Sequence, residues 1–255
     1  MNGASLVARQ FRYTNTAFWR NPASAFFTFA FPLMFLVIFT TLFGNSDAVI
    51  GGETMKTSTI FVASMAAFSV ITACYTNIAI SVSFSRDQGI LKRLRGTPLP
   101  GWTYLTARVV HATAIALVLV AICAAFGALV YEASLPTGMS LVRFLVALLV
   151  GAASFAALGL AITAAIPNAD ASPAIVNASI LPLLFLSGVF VPITDDAPRW
   201  IDVISKVFPV RHLVDSMNAG FLGTPFRWSD VLVIGLWGLA GLVMASRFFT
   251  WEPRK

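Results

Sequence analysis

Six apolar stretches dominate this chain, at 24–43, 58–84, 105–130, 141–165, 173–192 and 229–249. Each approaches the ~20 residues that an α-helix needs to cross a hydrocarbon layer of about 30 Å. Inside such a layer a chain must satisfy its own backbone N–H and C=O groups, and apolar runs of this length do so as helices. Charged residues make up 11% of the chain, against roughly 25% in an ordinary soluble domain. A water-soluble core cannot absorb that much apolar surface, so the sequence reads as an all-α integral membrane protein with six transmembrane helices in one domain, 1–255.

The formal net charge of +6 does not point to nucleic acid, because the basic residues are scattered through short loops instead of gathered on one face. They report orientation instead. With the N-terminus inside, the cytoplasmic segments collect Arg9, Arg12, Arg20, Arg86, Lys92, Arg93, Arg95, Arg108, Arg247, Arg254 and Lys255, eleven of seventeen basic residues. This predicts a multi-pass protein of the cell membrane with both termini cytoplasmic. The first apolar run is too long for the 7 to 15 residues of a cleavable signal and reads as a retained span. Cys74 and Cys123 both sit in apolar runs, where a thiol packs as a small hydrophobe, and no Cys or His spacing suggests a metal site.

Three further segments carry amphipathic patterns. In 5–20, Leu6, Val7, Phe11, Ala17 and Phe18 share one helical face opposite Arg9, Arg12 and Arg20, the pattern of an interfacial helix. In 85–101, Ser85 and Gln88 have capping-box spacing, which predicts a new helix starting at Ser85. Ile90, Leu91 and Leu94 form its apolar ridge beside Lys92, Arg93 and Arg95, and Gly96 and Pro98 end it. From physics alone this segment reads equally as an ordinary basic loop. In 196–222, two short stripes flank Pro209: Trp200, Ile201, Ile204, Val207 and Phe208, then Val210, Leu213, Val214, Met217 and Phe221. At about three turns each they are too short to span, and read as outer re-entrant helices or interfacial anchors.

The stretch SRDQGILKRLRGTPLPGWTYLTARV resembles the cytoplasmic element of the membrane subunits of ABC exporters of the ABC-2 type, particularly daunorubicin-resistance-type permeases. The stretch from PNADASPAIV to VFPVRHLVDSM is similar to that family's fifth span and outer re-entrant segment, and the order of spans matches along almost the whole chain. Ser85-Arg86-Asp87 departs from the more acidic Glu-Arg-Glu run of many relatives. The resemblance implies a cytoplasmic coupling helix and a transporter of two six-span halves, a homodimer or a pair of paralogous permeases, each docking a separate ABC ATP-binding subunit. ATP and Mg would sit on that partner, with no cofactor bound by this chain. None of Lys56, Lys92, Lys206 and Lys255 follows a glycine, so the sequence contains no phosphate-cradling P-loop of its own.

On that resemblance, contact with the ATPase falls to Ser85, Arg86, Asp87, Gln88, Gly89, Ile90, Leu91, Lys92, Arg93, Leu94, Arg95, Gly96, Thr97 and Pro98. The cargo route falls between spans two and five, along Phe61, Ser64, Phe68, Ile71 and Tyr75 on one and Asn177, Leu181, Leu184 and Phe185 on the other. Both faces are uncharged, which favours a lipophilic drug, a lipid or an apolar peptide moved outward; packing against neighbouring helices is the alternative use of the same faces. A self-sufficient channel or secondary carrier and an intramembrane enzyme are the rival classes. The span interiors lack the carboxylates that hold a coupling ion, and the sequence has neither a Gly-x-Ser-Gly turn nor an H-E-x-x-H pair. Membrane lipids are the remaining partners.

Overall fold

A computed structural model describes residues 3–50, 53–190 and 198–252. Among the described residues the regular structure is helical apart from one short hairpin that the sequence does not announce. Its elements are α1 (Gly3–Trp19), α2 (Pro22–Phe43), β1 (Asp47–Ile50), β2 (Glu53–Lys56), α3 (Ser58–Ile71), a π-helical turn (Thr72–Thr76), α4 (Asn77–Asp87), α5 (Ile90–Arg95), α6 (Gly101–Tyr131), α7 (Gly138–Ile162), α8 (Ser172–Leu186), α9 (Arg199–Val207), α10 (Pro209–Leu222) and α11 (Trp228–Phe248). β1 and β2 pair antiparallel, Asp47 opposite Lys56, and an ion pair of 3.1 Å joins those two side chains.

Among the described residues five helices are long and apolar enough to cross a membrane: Pro22–Phe43, Ser58–Asp87, Gly101–Tyr131, Gly138–Ile162 and Trp228–Phe248. The expected sixth, 173–192, is shorter. α8 has 15 residues, about 22 Å at 1.5 Å per residue, and ends where Gly188 takes a left-handed φ of 78°. Positions 191 and 192 of that expectation lie outside the described residues. Pro173 occupies the first turn of α8, where a missing N–H costs nothing; Pro182 alone lies inside that helix.

The second span, α3 through α4, is the buried axis of the bundle. In its most apolar window 83% of residues are buried, against 17% for α2. α3 packs on α2, α6 and α10, while α7 lies along α11 and against the π turn. α1 lies across α6 with its predicted apolar face inward: Phe11 and Phe18 place their rings 5.8 and 5.5 Å from His111. Ala17 departs from that face and is exposed.

The two outer stripes separate. α10 inserts among α3, α7 and α11, with Val210, Leu213, Val214, Met217 and Phe221 all buried. On α9 only Ser205 is buried, and Trp200, Ile204 and Val207 face outward. A polar clasp pins α10 to α11: His212 Nδ1 lies 2.8 Å from Asp230 and its Nε2 lies 2.9 Å from the Lys206 carbonyl. Next to it, burial raises the Asp215 carboxyl above its ordinary range, although Arg211, at 2.9 Å, pulls the other way.

Candidate functional site: a basic helix and an uncharged slot on the second span

No helix starts at Ser85. α4 runs on to Asp87, the Gln88 N–H donates to the Phe84 carbonyl at 3.0 Å, and the Ser85 hydroxyl donates to the Ser81 carbonyl at 2.8 Å instead of capping anything. The capping-box reading failed because the same Ser-x-x-Gln spacing fits inside a helix already under way. The break comes at Gly89, whose φ of 69° is left-handed and favours a residue without Cβ. The expected rod over 86–95 is therefore a long helix, a turn, and the six-residue α5.

The turn divides the expected coupling residues into two sets. Arg86 is 1% exposed and points into the protein, donating to the carbonyls of Thr163 at 2.9 Å and Ile166 at 2.6 Å, past the end of α7. A helix C-terminus presents unpaired carbonyls and partial negative charge, so a guanidinium there is well matched. The Asp87 carboxylate accepts from the Ala169 N–H, and Ser85 accepts from Arg108 at 3.2 Å. These three residues fasten span two to its neighbours. Leu91 is fully buried and Leu94 packs against the core, so most of the predicted ridge belongs to the protein's own interior.

The exposed set is Gln88, Ile90, Lys92, Arg93, Arg95, Gly96, Thr97 and Pro98. Arg93 folds back to donate to the Gln88 carbonyl at 3.1 Å, and the Thr97 hydroxyl closes the far end on the Leu94 carbonyl at 2.7 Å. The result is a short basic helix, anchored by Leu91, with one apolar side chain, Ile90, at its surface.

Higher on the same span lies a cavity of about 550 Å³ between α2, span two and α8. Of the nine predicted route residues it takes in Phe68, Asn177 and Leu181. Phe61, Ser64 and Ile71 are buried behind it, Phe61 stacked on Phe39 at 6.0 Å and tilted on Phe43 at 5.6 Å. For these three, packing on a neighbouring helix is what the face does. Leu184 is buried, Phe185 faces outward, and Tyr75 turns to the other side of α8, where its hydroxyl lies 2.7 Å from that of Ser179.

The π turn explains why Tyr75 does not line this cavity. The Asn77 N–H bonds to the Thr72 carbonyl five residues back, which inserts one extra residue into the turn and advances the register of everything after it. The face begun by Phe68 and Thr72 therefore continues through Thr76 and Asn77 instead of through Tyr75. Gly159 accommodates the bulge: a Cβ there would lie 2.8 Å from the Tyr75 carbonyl oxygen, so α7 meets the widened backbone only without a side chain.

Sequence reasoning also missed the wall supplied by α2, namely Ser24, Thr28, Phe31 and Phe35. The even apolarity of α2 hides which side faces the slot; only Ser24 and Thr28, four residues apart, mark it. The slot is lined without an ionisable side chain. Ser24, Thr28, Asn77, Ser81 and Asn177 come from the ends of their helices nearest α5, while Phe35, Phe68 and Phe190 form a cluster of rings 5.4 to 5.7 Å apart at the other end. Asn77 and Asn177 make no side-chain hydrogen bond among the described residues, so each amide is free to bind a guest's polar group.

The profile of the family described as "ABC-2 type transporter" matches residues 4–222. The chain is 23% identical over 221 residues to the "Putative transport permease ycf38" of Porphyra purpurea, covering 86% of this chain and 75% of the relative. It is 26% identical over 161 residues to the "Probable multidrug ABC transporter permease YbhR" of Escherichia coli (strain K12), covering 63% of this chain and 42% of the relative. A second ycf38, from Pyropia yezoensis, is 25% identical over 223 residues. With five span-length apolar helices, the shorter α8, and a family match over most of its length, the chain belongs to the ABC-2 type transporter family, as a multi-pass transport permease.

Proposed function

We propose that this chain is one half of an ATP-driven exporter, paired with a second copy or a paralogous permease, and moves an uncharged lipophilic or amphipathic cargo outward. The energy comes from ATP and Mg held by a separate ABC ATP-binding subunit docked on the exposed side of α5, with both termini of this chain cytoplasmic. The observation that carries the reading is that one continuous segment of chain joins the slot to the basic helix. Span two lines the slot with Phe68, Thr72, Thr76 and Asn77, and its end carries the anchored basic helix. A slot without fixed charge favours guests that bring apolar surface, at about 25 cal/mol per Å² buried, and its two free amides favour a guest with a hydroxyl or amide.

The test is reconstitution with the candidate ATP-binding subunit and measurement of compound-stimulated ATP hydrolysis. Asn77→Leu and Asn177→Leu should shift the stimulating compounds toward fully apolar ones while basal hydrolysis stays intact. An unchanged compound profile in both variants would place the route elsewhere, and export that runs without the ATPase would overturn the exporter reading. Single cysteines at 92–96 should label only from the cytoplasm and at 199–206 only from outside.

A further inference from the structure

Behind α8, on the side away from the slot, lies a second and larger cavity of about 810 Å³. It separates α8 from α11, two helices with no extensive contact between them. One end is aromatic: the Trp237 ring stacks on Phe208 at 5.8 Å and its Nε1–H is spent on the Val207 carbonyl at 3.0 Å. The end of its lining on the α5 side of the bundle carries Arg247 and Thr250. Ten residues of helix separate Trp237 from Arg247, about 15 Å, half of the ~30 Å hydrocarbon core. The lining thus extends over about one leaflet.

Polarity along it is graded. The Tyr75 and Ser179 hydroxyls in the wall satisfy each other, leaving the middle apolar. At the rim Arg247 is exposed and makes no ion pair among the described residues, and Thr250 Oγ1 is shielded from water without a hydrogen-bond partner there. A cation and an unpaired donor at headgroup depth, above an apolar shaft ending at aromatic rings near the midplane, match an anion carried on a hydrocarbon chain.

We propose that this cavity is a lipid site: it holds one acyl chain of an anionic glycerophospholipid from the leaflet on the α5 side, with the phosphate on Arg247 and Thr250. The acyl chain fills the space behind α8, which meets lipid through Ile180 and Leu183 and the slot through Asn177 and Leu181. The site stands on its own geometry and does not depend on what the chain exports.

The experiment uses the full chain in phosphatidylcholine nanodiscs doped with phosphatidylglycerol or phosphatidylcholine bearing a diazirine on one acyl chain. Peptides around residues 180–183 and 237–244 should be labelled, with phosphatidylglycerol favoured about fivefold, the worth of one interfacial Arg. Arg247→Gln should abolish that preference, and Arg95→Gln, outside the cavity, should keep it. Met244→Trp fills the shaft from an exposed position and should lower labelling by both probes severalfold; Leu183→Trp does the same from the α8 side. Equal labelling by the two probes in the wild type, a preference that survives Arg247→Gln, or crosslinking between two copies through Met244→Cys would each overturn the site.

Discussion

Residues 85–87 and α5 are separated by two positions and share their ingredients, each with arginine beside small or apolar neighbours, yet they face opposite ways. Arg86 is buried on the carbonyls of Thr163 and Ile166, whereas Lys92 and Arg95 stand in solvent. The difference is made by Gly89, whose left-handed turn reverses which side of the chain meets the bundle. A positive charge at a membrane exit is therefore of two kinds, one holding helices together and one offered outward, and composition does not separate them.

The sharpest break in that comparison is Arg86→Ala. It strips two carbonyls and the neighbouring Asp87 of a buried cation, and breaking such an arrangement costs about 3 to 5 kcal/mol. The variant should lose most of its folded yield in detergent, and Arg86→Lys should recover only part of it, because an ammonium cannot reach two carbonyls with a planar fork. If Arg86→Ala folds normally and fails only in ATPase binding, Arg86 belongs with the outward set.

Leu91 sharpens the same line. As part of a docking ridge, Leu91→Asp would leave the protein folded and undocked; fully buried, it should instead destabilise by several kcal/mol, the cost of an unpaired buried charge. Ile90→Asp, one residue away and exposed, should change stability by less than about 0.5 kcal/mol yet reduce copurification of the ATP-binding subunit. Thermal unfolding and pull-down on the two variants separate the roles, and matching behaviour would erase the distinction.

The limits of the sequence lie in these same places. The all-helical membrane fold, the order of its apolar helices, the α1 face and the α10 stripe were legible, because each rests on a pattern sustained over several turns. The capping box was not, since four residues fit a helix start and a helix middle equally well. The slot was half legible: Phe68, Asn177 and Leu181 line it, but one π turn shifts every later residue of span two, and no side-chain pattern announces an extra backbone residue. α8 was read as longer than it is because apolar residues continue past the Gly188 turn. The 47–56 hairpin was invisible, four residues per strand offering too few alternations to register.

A smaller effect is expected where the last span meets α5. Trp251, beyond the end of α11, lies against Gly101 so closely that a Cβ there would sit 2.7 Å from its ring, and it shares a notch of about 290 Å³ with Leu94, Arg95 and Leu99. Trp251→Ala should loosen α5 without unfolding the spans, seen as faster amide exchange over 90–101 with α7 and α11 unchanged. Gly101→Leu alone should do the same by expelling the ring, but should add little on top of Trp251→Ala, because the space is then vacant.

The least effect on stability belongs to the outward charges themselves. Lys92 and Arg95 are exposed and make no ion pair among the described residues, so replacing either by Gln should alter unfolding by about 0 to 1 kcal/mol at most. Their contribution should appear in association. Charges at the rim of an interface steer encounter and are screened beyond about 8 Å at physiological ionic strength, so each Gln variant should slow binding of the ATP-binding subunit at low salt. Raising the salt should bring wild type and variants together, while the loss caused by Ile90→Asp should persist, because burial of an apolar side chain is not screened. A salt-independent deficit in the Lys92 and Arg95 variants would mean that these side chains are buried on docking. α5 would then be recognised by its charges, with Leu91 only holding it in place.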